Sequence, residues 1–337
     1  MSERVALSVD FGGTKVEAAL VDSRGDVLPG TRHRAPTGRN ATSERLEEAV
    51  RSVIVQALDA APEDQAIIGT GIGCAGPIDR DNGLVSPLNV PAWRGYPLRS
   101  FISQVVARAL GDLPTHLEMD GTAITLAEHW IGAAQGVDNV MGMVISTGIG
   151  GGLIVGGRII TGPTGNAGHI GHLEVAGMSG EDTFGHNTSL EAIASGPHTV
   201  AWARSQGWSG ATGEDLAASY AAGDAIARRA IERTGTAVGW SIAGATALLD
   251  LELVAIGGGF AQSTPDLFEV IKRTIASHYF EFVRKVRVVP SGLSGSGPLI
   301  GAGALIHRGE LFAPSTARDS YQVPVDPQDD LNCEQCQ

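Results

Sequence analysis

A short run near the start of the chain, Asp10-Phe-Gly-Gly-Thr14, holds residue types that can bind a phosphate group and a divalent cation. Gly12 and Gly13 allow a tight turn in which backbone amides approach an anion, and Thr14 adds a hydroxyl donor. The Asp10 carboxylate can hold a hydrated Mg²⁺. Lys15 can contact phosphate or lie on the surface. An ordinary hairpin is the alternative for this run, because Asp and Gly are common turn residues.

Two further glycine clusters favour a nucleotide site over an ordinary hairpin. One runs from Ser146 to Gly152 and offers the same donors as the first, from Thr147, Gly148 and Gly150. The other follows an apolar run and would let the backbone approach a base or a ribose; it consists of Gly257, Gly258 and Gly259. Three such clusters together predict that the chain binds a nucleotide.

Two familiar nucleotide motifs are excluded. The sequence contains no G-x-x-x-x-G-K-[ST], so it predicts no Walker-type phosphate loop. The segment from Gly71 to Gly76 matches G-x-G-x-x-G, but Pro77 follows at once and no helix pattern begins there. The context of a dinucleotide-binding fold is therefore absent.

A pair of histidines, His169 and His172, lies in the glycine-rich segment GNAGHIGHLEV. On a helix, a spacing of three residues would place both side chains on one face, which suits a metal ion. The spacing alone does not decide between a metal site and a substrate site.

The predicted elements place each glycine cluster beside a strand. Strands over Arg4–Asp10 and Val16–Val21 flank the first turn, and strands over Val140–Ser146 and Leu153–Ile160 flank a second turn at Thr147–Gly152. Between and after them, apolar residues at helical spacing alternate with short apolar runs. This order predicts an α/β protein with two domains of related plan, each presenting a glycine hairpin to a shared cleft.

Composition and charge restrict the partners. The 337 residues carry a formal net charge of −13, which argues against a nucleic-acid surface, although phosphates can still be held by backbone amides. No apolar run is long enough to span a membrane, and no signal peptide is visible. Three cysteines cannot form a disulfide framework, so we expect a cytoplasmic protein.

The order of these motifs resembles that of the ROK family of sugar kinases and repressors, within the actin-like ATPase superfamily. The resemblance covers roughly residues 5 to 310 and rests on VDFGGTKVEAALVD, GIGCAGPIDRDNGLVSPLNVPAW, EMDGTAITLAEHWIGAA, VISTGIGGGLIVGGRIITG, GNAGHIGHLEV and SLEAIASG. It implies two ribonuclease-H-like domains flanking a cleft. Residues 1–118 and the last helix, 298–312, would form one domain and residues 119–297 the other, followed by a flexible acidic tail at 313–337.

The resemblance also implies an activity. Asp120 would accept a proton from the primary hydroxyl of a sugar, which attacks the γ-phosphoryl group of ATP in the presence of Mg²⁺. Asn89 and Glu191 would contact the sugar. The alternative role for Asp120 is that of a helix N-cap, since a helical pattern follows it. Membership also implies a homodimer or a tetramer.

A repressor or a non-catalytic sugar sensor is the alternative within this family. We expect no repressor, because the first glycine turn begins at residue 10 and leaves no room for a helix-turn-helix domain before it. A sensor would be expected to lack Asp120 or the glycine hairpins, and all of them are present.

At three positions where many family members have zinc-binding cysteines, this sequence has other residues. Many ROK members carry a cysteine cluster that binds structural zinc together with the histidine matched by His172. Here Asp182, Phe184 and Ser189 occupy the three cysteine slots. A substitute ligand set of His172, His186 and Asp182 is the alternative. Because zinc sites of this kind use thiolate ligands, we predict no structural zinc. Cys333 and Cys336 form one C-x-x-C pair, too few for a site of four cysteines.

Two further slots point to the acceptor. Met119 stands where glucose-type members have asparagine, and His169 stands where they have a glutamate. These changes remove hydrogen-bond acceptors for ring hydroxyls, at a cost of about 1–3 kcal/mol for each unsatisfied group. Glucose is therefore disfavoured relative to an amino sugar or a C7-cyclitol, and His172 becomes free to serve the sugar pocket.

Overall fold

The computed structural model describes residues 3–180, 188–293 and 295–312. Its core contains two five-stranded mixed sheets. The first sheet has the order β3-β2-β1-β4-β7, with β1 at Glu3–Phe11, β2 at Lys15–Asp22, β3 at His33–Pro36, β4 at Gln65–Cys74 and β7 at Thr115–Met119. A small hairpin after β4 consists of β5 at Ile78–Asp79 and β6 at Leu84–Val85.

The second sheet repeats this plan with the order β10-β9-β8-β11-β12. Its strands are β8 at Val140–Ile145, β9 at Ile149–Val155, β10 at Arg158–Ile160, β11 at Leu253–Gly257 and β12 at Arg287–Pro290. In both sheets an antiparallel hairpin lies beside two parallel strands. The predicted architectural repeat is therefore present.

Helices cover the faces of both sheets. Apolar residues at helical spacing, such as Leu46, Val50 and Val53, bury the inner face of the first helix. The helices are α1 at Ser43–Asp59, α2 at Leu98–Leu110, α3 at Asp120–Trp130, α4 at Leu190–Ala194, α5 at Gly196–Ser205, α6 at Gly213–Ala221, α7 at Ala225–Leu249, α8 at Gly259–Ser263, α9 at Asp266–Ala276, α10 at Glu281–Arg284 and α11 at Gly297–His307. Short 3₁₀ helices lie at Ile170–His172 and Gly309–Leu311.

Two helices join the sheets. Helix α3 follows β7 of the first sheet and packs on β8 and β9 of the second, while α11 packs on α3 and on β1 and β4. Both contacts need glycine: a β-carbon at Gly301 would lie 2.0 Å from the carbonyl oxygen of Ala123, and one at Gly71 would lie 1.7 Å from that of Ala302. The return of the last helix to the first sheet fits the predicted domain plan, whose boundaries remain a prediction.

The second hairpin differs from its prediction. The returning strand begins at Ile149 rather than Leu153, so Gly150, Gly151 and Gly152 lie in β9, and a second turn separates β9 from β10. Close packing explains the glycines, because a β-carbon at Gly152 would lie 2.5 Å from the carbonyl oxygen of Gly121 in α3. Strands β3, β5 and β6 were not predicted, since each is at most four residues long.

Candidate active site

A cavity of ≈ 190 Å³ opens between the two sheets and gathers residues from both glycine hairpins. Most of the predicted site residues line it. They are Gly12, Gly13, Thr14, Asn89, Asp120, Thr147, Gly148, Gly150, His169 and Glu191. Chain segments more than a hundred residues apart therefore meet in one place.

The first hairpin is closed by backbone hydrogen bonds and packs on Asn89. The Gly12 N–H donates to the Lys15 carbonyl at 2.9 Å, which forms the turn between β1 and β2. A β-carbon at Gly13 would lie 2.8 Å from the β-carbon of Asn89. Any larger residue at position 13 would displace Asn89 from the cavity wall.

The second hairpin is held by Glu191, which follows the helix N-cap Ser189. The Glu191 Oε2 accepts a hydrogen bond from the Ile149 N–H at 2.8 Å. A β-carbon at Gly148 would lie 2.7 Å from the same oxygen. Glu191 therefore lines the cavity and also fixes the turn that precedes β9.

Two carboxylates lie on either side of Gly73 in β4: Asp10 is near the end of β1, and Asp120 directly follows β7. A β-carbon at Gly73 would lie 4.0 Å from Asp10 Oδ1 and 3.9 Å from the Asp120 α-carbon. Burial raises the pKa of Asp10 to about 7, with a further contribution from the charge of Asp120. Burial and the charge of Glu191 raise the pKa of Asp120 to about 6, although the Gly121 N–H donates to its Oδ1 at 2.7 Å. This concentration of negative charge favours the binding of a cation.

Asp120 is the first residue of α3, and Met119 is the N-cap. The alternative of an Asp120 N-cap is therefore wrong. The Asp120 Oδ1 lies 3.7 Å from the position that a β-carbon on Gly150 would occupy, so the carboxylate faces the second hairpin. Its place at the helix N-terminus also favours the ionised form.

A second cavity, of ≈ 440 Å³, adjoins the first and shares Ser146 and Thr147 with it. Of the third glycine run, only Gly259 lines this cavity. Gly258 has a φ of +99°, and its β-carbon would lie 2.4 Å from the Ile145 carbonyl oxygen, while Gly257 abuts Ser291. The first two glycines thus serve the turn after β11 and the packing around it.

Gly76 and His169 line the cavity, with Met119 directly behind them. A β-carbon at Gly76 would lie 3.1 Å from Met119 Sδ and 3.7 Å from His169 Nε2. Burial and the neighbouring His172 lower the pKa of His169 to about 4, so its imidazole is neutral near pH 7. The His169 Nδ1 is buried without a hydrogen-bond partner. This part of the cavity wall carries no charge from His169, where a glutamate would carry one.

Some predicted residues lie beside the cavity rather than in its wall. Asp10 and Met119 are buried behind the wall, and Lys15 pairs with Glu17. His172 is exposed and packs its ring edge-on against His169, with centroids 4.3 Å apart. His172 therefore does not line the cavity but contacts a residue, His169, that does.

Comparison with known proteins identifies the lineage. The sequence model of the ROK family matches residues 6–309. The chain belongs to the ROK family. A glucokinase from Thermotoga maritima is 28% identical over 89% of this chain and 96% of its own length. An N-acetylmannosamine kinase from Escherichia fergusonii is 34% identical over 75% of this chain and 82% of its own.

Solved ROK structures share the fold. The crystal structure of a ROK hexokinase from Thermus thermophilus aligns with a TM-score of 0.76 at 28% identity, over 91% of this chain and 99% of its own. A ROK glucokinase from Streptomyces griseus, in complex with glucose and AMPPNP, aligns with a TM-score of 0.76 at 26% identity, over 89% and 98%. The prediction of an α/β fold of the actin-like ATPase type is confirmed.

The predicted absence of a structural zinc site concerns a segment of which the structure describes only a part. Asp182, Phe184 and His186 lie outside the described residues, as does the tail that carries Cys333 and Cys336. Within the described ranges, no group of three His, Cys, Asp or Glu side chains could hold a metal ion. The absence of structural zinc stays a prediction.

Several residues of the site were not predicted. Arg32 and Arg34 both donate to Glu17, a buried carboxylate paired in register with Asp10 across β1 and β2. They lie in or beside β3, the short strand that the sequence did not reveal, although its alternating basic residues were a usable signal. Gly76 also lines the cavity and was not predicted as a site residue, although it lies in the segment GIGCAGPIDRDNGLVSPLNVPAW, which contributes to the family resemblance.

No helix among residues 3–180, 188–293 and 295–312 combines the length and the hydrophobicity needed to cross a membrane.

Proposed function

We propose that this ROK protein is an ATP-dependent kinase that transfers the γ-phosphoryl group to the primary hydroxyl of a hexose or a hexose-like acceptor. The observation that carries the proposal is the position of Asp120, which lines the same cavity as both glycine hairpins and whose carboxylate faces the second of them. The kinase relatives and the AMPPNP held by the Streptomyces griseus structure support it.

The proposed chemistry asks for positioning and charge neutralisation. The acceptor oxygen attacks the γ-phosphorus, the bond from phosphorus to the bridging oxygen breaks, and ADP leaves. Asp120 takes the proton from the acceptor hydroxyl, and an ionised carboxylate within hydrogen-bond reach is sufficient for this step. The turn residues Gly13 and Gly148 line the cavity and would offer backbone amides to the phosphate oxygens, while the Gly12 N–H closes its turn on the Lys15 carbonyl and Gly150 lies in β9.

The residues present fit a Mg²⁺ ion. Asp10 is 7% exposed and carries a raised pKa beside a second carboxylate, a state that a divalent cation would relieve. Asp10 would hold the ion through water. When bound, Mg²⁺ would neutralise negative charge on the phosphates.

The nucleotide is proposed to extend from the hairpins into the second cavity. Ser146 and Thr147 line both cavities, so they mark the passage from phosphates to nucleoside. Gly259 and Phe260 line the far cavity and offer a flat contact for a base. Of the three glycines predicted to let the backbone approach a base or a ribose, only Gly259 keeps that role in this proposal.

The acceptor is proposed to be a hexose, an amino sugar or the equivalent 7-OH of a C7-cyclitol. Asn89, Glu191 and His169 line the cavity and would contact it, with Met119 behind them and His172 acting through His169. The neutral imidazole of His169 disfavours plain glucose, for which a carboxylate acceptor would serve better.

An acceptor screen tests the function. Glucose, mannose, N-acetylmannosamine, glucosamine and a C7-cyclitol would each be incubated with ATP and Mg²⁺, and ADP release and phosphorylated product would be measured. The kinase predicts acceptor-dependent ADP release. Binding of an acceptor without turnover would support the alternative, a non-catalytic sugar sensor of the same fold.

The Asp120→Asn variant tests the base. General-base catalysis contributes about 10²–10⁴-fold, so kcat should fall by that factor while acceptor binding remains measurable by calorimetry. The matched control is Asp112→Asn at an exposed position before β7. Near-normal turnover of Asp120→Asn would refute the assignment.

We also propose that the protein forms a homodimer, in a cytoplasmic setting, through one apolar surface. Helix α7 contains no charged residue over residues 234–249 and yet exposes Trp240 and Leu248, the latter by 85%. Helix α10 packs on α7, and Tyr279, Phe280 and Phe282, in or directly before α10, are exposed as well.

A second copy is the occupant that fits this surface. The uncharged stretch of α7 at residues 234–249 limits, at its part of the contact, the repulsion that a net charge of −13 would impose on two identical chains. Large aromatic side chains bury about 150–250 Å² each, and a stable interface needs about 800 Å² per partner. The exposed parts of these five side chains would supply a large share of that area.

A further inference from the structure

Two loops from different sheets meet beside the cavity. The acceptor loop, residues 75–90, follows β4 of the first sheet and contributes Gly76 and Asn89 to the cavity. The second loop, residues 161–169, follows β10 of the second sheet and contributes His169. The spacing between these loops sets the width of the wall that an acceptor would contact.

One side chain joins the two loops through a pair of hydrogen bonds. The Asn166 Oδ1 accepts from the Ile78 N–H at 2.9 Å, and the Asn166 Nδ2 donates to the Ile78 carbonyl at 2.7 Å. A carboxamide carries the same donor and acceptor as a peptide group, so it pairs with Ile78 as a neighbouring strand would. Ile78 lies two residues after Gly76, and Asn166 lies three residues before His169.

A glycine lets the loops approach closely. Gly165 has a φ of +88°, and a β-carbon there would lie 2.7 Å from the β-carbon of Arg80 and 3.1 Å from Ile78 Cδ1. Any other residue would meet both strain and a steric clash. The backbone of the second loop therefore rests directly on the acceptor loop.

Arg80 extends the connection to the strand that precedes Asp120. Its guanidinium donates to Thr161 Oγ1 at 3.1 Å and forms an ion pair with Glu118 Oε1 at 2.7 Å. Glu118 is 3% exposed and lies on β7, two residues before Asp120. Arg80, itself a residue of the acceptor loop, thus contacts both the loop at residues 161–169 and the strand that leads to Asp120.

We propose that Asn166 and Arg80 are positioning residues that hold the acceptor loop against the second sheet's loop, so that Gly76 and His169 face the acceptor at a fixed spacing. This inference rests on the proposed kinase function. It assigns to Asn166 a contribution to acceptor binding that does not extend to ATP, because the hairpins that would bind phosphate are held by separate contacts at Gly12 and Glu191.

The test compares Asn166→Ala and Asn166→Asp with the control Asn40→Ala, an exposed asparagine ahead of α1. The acceptor is the member of the screen panel that the wild type phosphorylates most efficiently. We expect the acceptor KM to rise about tenfold in both Asn166 variants and the ATP KM to change less than twofold. Aspartate does not rescue, since it cannot donate to the Ile78 carbonyl.

Hydrogen exchange gives a readout that does not depend on activity. Because the Ile78 N–H donates to the Asn166 side chain, deuterium uptake in peptides covering residues 76–80 should accelerate in Asn166→Ala and not in Asn40→Ala, whereas the carboxylate of Asn166→Asp can still accept this bond. An unchanged acceptor KM together with unchanged uptake would refute the inference. So would equal rises in both KM values accompanied by a lower Tm, which would indicate a purely structural role.

Failure of the inference differs from failure of the proposed function. A wild-type protein that phosphorylates no acceptor in the panel refutes the kinase, whatever the variants do. A wild-type protein that turns over while the Asn166 variants keep its acceptor KM refutes only the positioning role.

Discussion

At the scale of single residues, the cavity is defined by where negative charge is present and where it is missing. Asp10, Asp120 and Glu191 concentrate carboxylates on the side of the hairpins, and burial keeps the pKa of the first two high. The cavity wall beside Gly76 has a neutral imidazole at His169. The two sides therefore suit different ligands, a cation with phosphates on one and an uncharged ring on the other.

The raised pKa of Asp120 predicts how activity depends on pH. A general base acts when ionised, so kcat/KM should fall as the pH drops through about 6, by about tenfold per pH unit. Burial is the main cause of the raised pKa of Asp120, and the charge of Glu191 raises it further. Glu191→Gln should therefore lower this pKa and move the acidic side of the pH profile to lower pH. Profiles of log kcat/KM from pH 5 to 9 measure this shift, with the exposed Glu63→Gln as control. A profile whose acidic side stays in place would contradict the electrostatic coupling.

The identity of residue 169 predicts acceptor preference. A carboxylate in place of the neutral imidazole would accept hydrogen bonds from ring hydroxyls, each worth about 1–3 kcal/mol when otherwise unsatisfied. His169→Glu should therefore raise kcat/KM for glucose relative to the other members of the panel by about tenfold or more. His198→Glu, on α5 outside the cavity wall, is the matched control. An unchanged ratio would show that residue 169 does not contact the acceptor.

At the scale of elements, glycine decides how closely helices approach strands. In β9, Gly151 and Gly152 are packing positions, since a β-carbon at Gly121 of α3 would lie 2.3 Å from the Gly151 carbonyl oxygen and one at Gly152 would lie 2.5 Å from that of Gly121. That contact sets the position of Asp120 at the start of the same helix. The glycine-rich sequence thus serves the hairpin turn at one end and the helix contact at the other.

This packing predicts the cost of adding one methyl group. Gly152→Ala would place a β-carbon 2.5 Å from the Gly121 carbonyl oxygen, so we expect a loss of about 2–4 kcal/mol in the free energy of unfolding. Gly309→Ala is the control, because an added β-carbon there meets nothing within 4 Å. Urea unfolding of both variants measures the difference. Equal stabilities would mean that α3 can shift away from β9.

At the scale of the whole molecule, the surface over α7 and α10 predicts association. A charge placed in an apolar contact must be desolvated, so Trp240→Arg and Tyr279→Glu should each convert a dimer into a monomer at micromolar concentration. Sedimentation equilibrium measures the mass, and Tyr220→Glu, on the separate helix α6, is the control. A wild-type protein that is monomeric at all concentrations, or variants that remain dimeric, would refute this interface.

The sequence alone determined the features that depend on local chemistry. Glycine turns between apolar strands are short-range signals, and they predicted the β1–β2 and β8–β9 hairpins. Apolar residues at helical spacing also indicated that helices alternate with the strands. The motif order also indicated the ROK family, because each motif is legible within a few residues.

The tertiary structure alone decided which distant residues share a wall. The Asn166–Ile78 bonds join positions 88 residues apart, and Arg80 meets Glu118 only because β4 and β7 are neighbours in the first sheet. His172 was expected at the pocket and is exposed beside it, with its ring packed against that of His169. Spacing along the chain describes local geometry, whereas the cavity is formed by the packing of one sheet against another through α3 and α11.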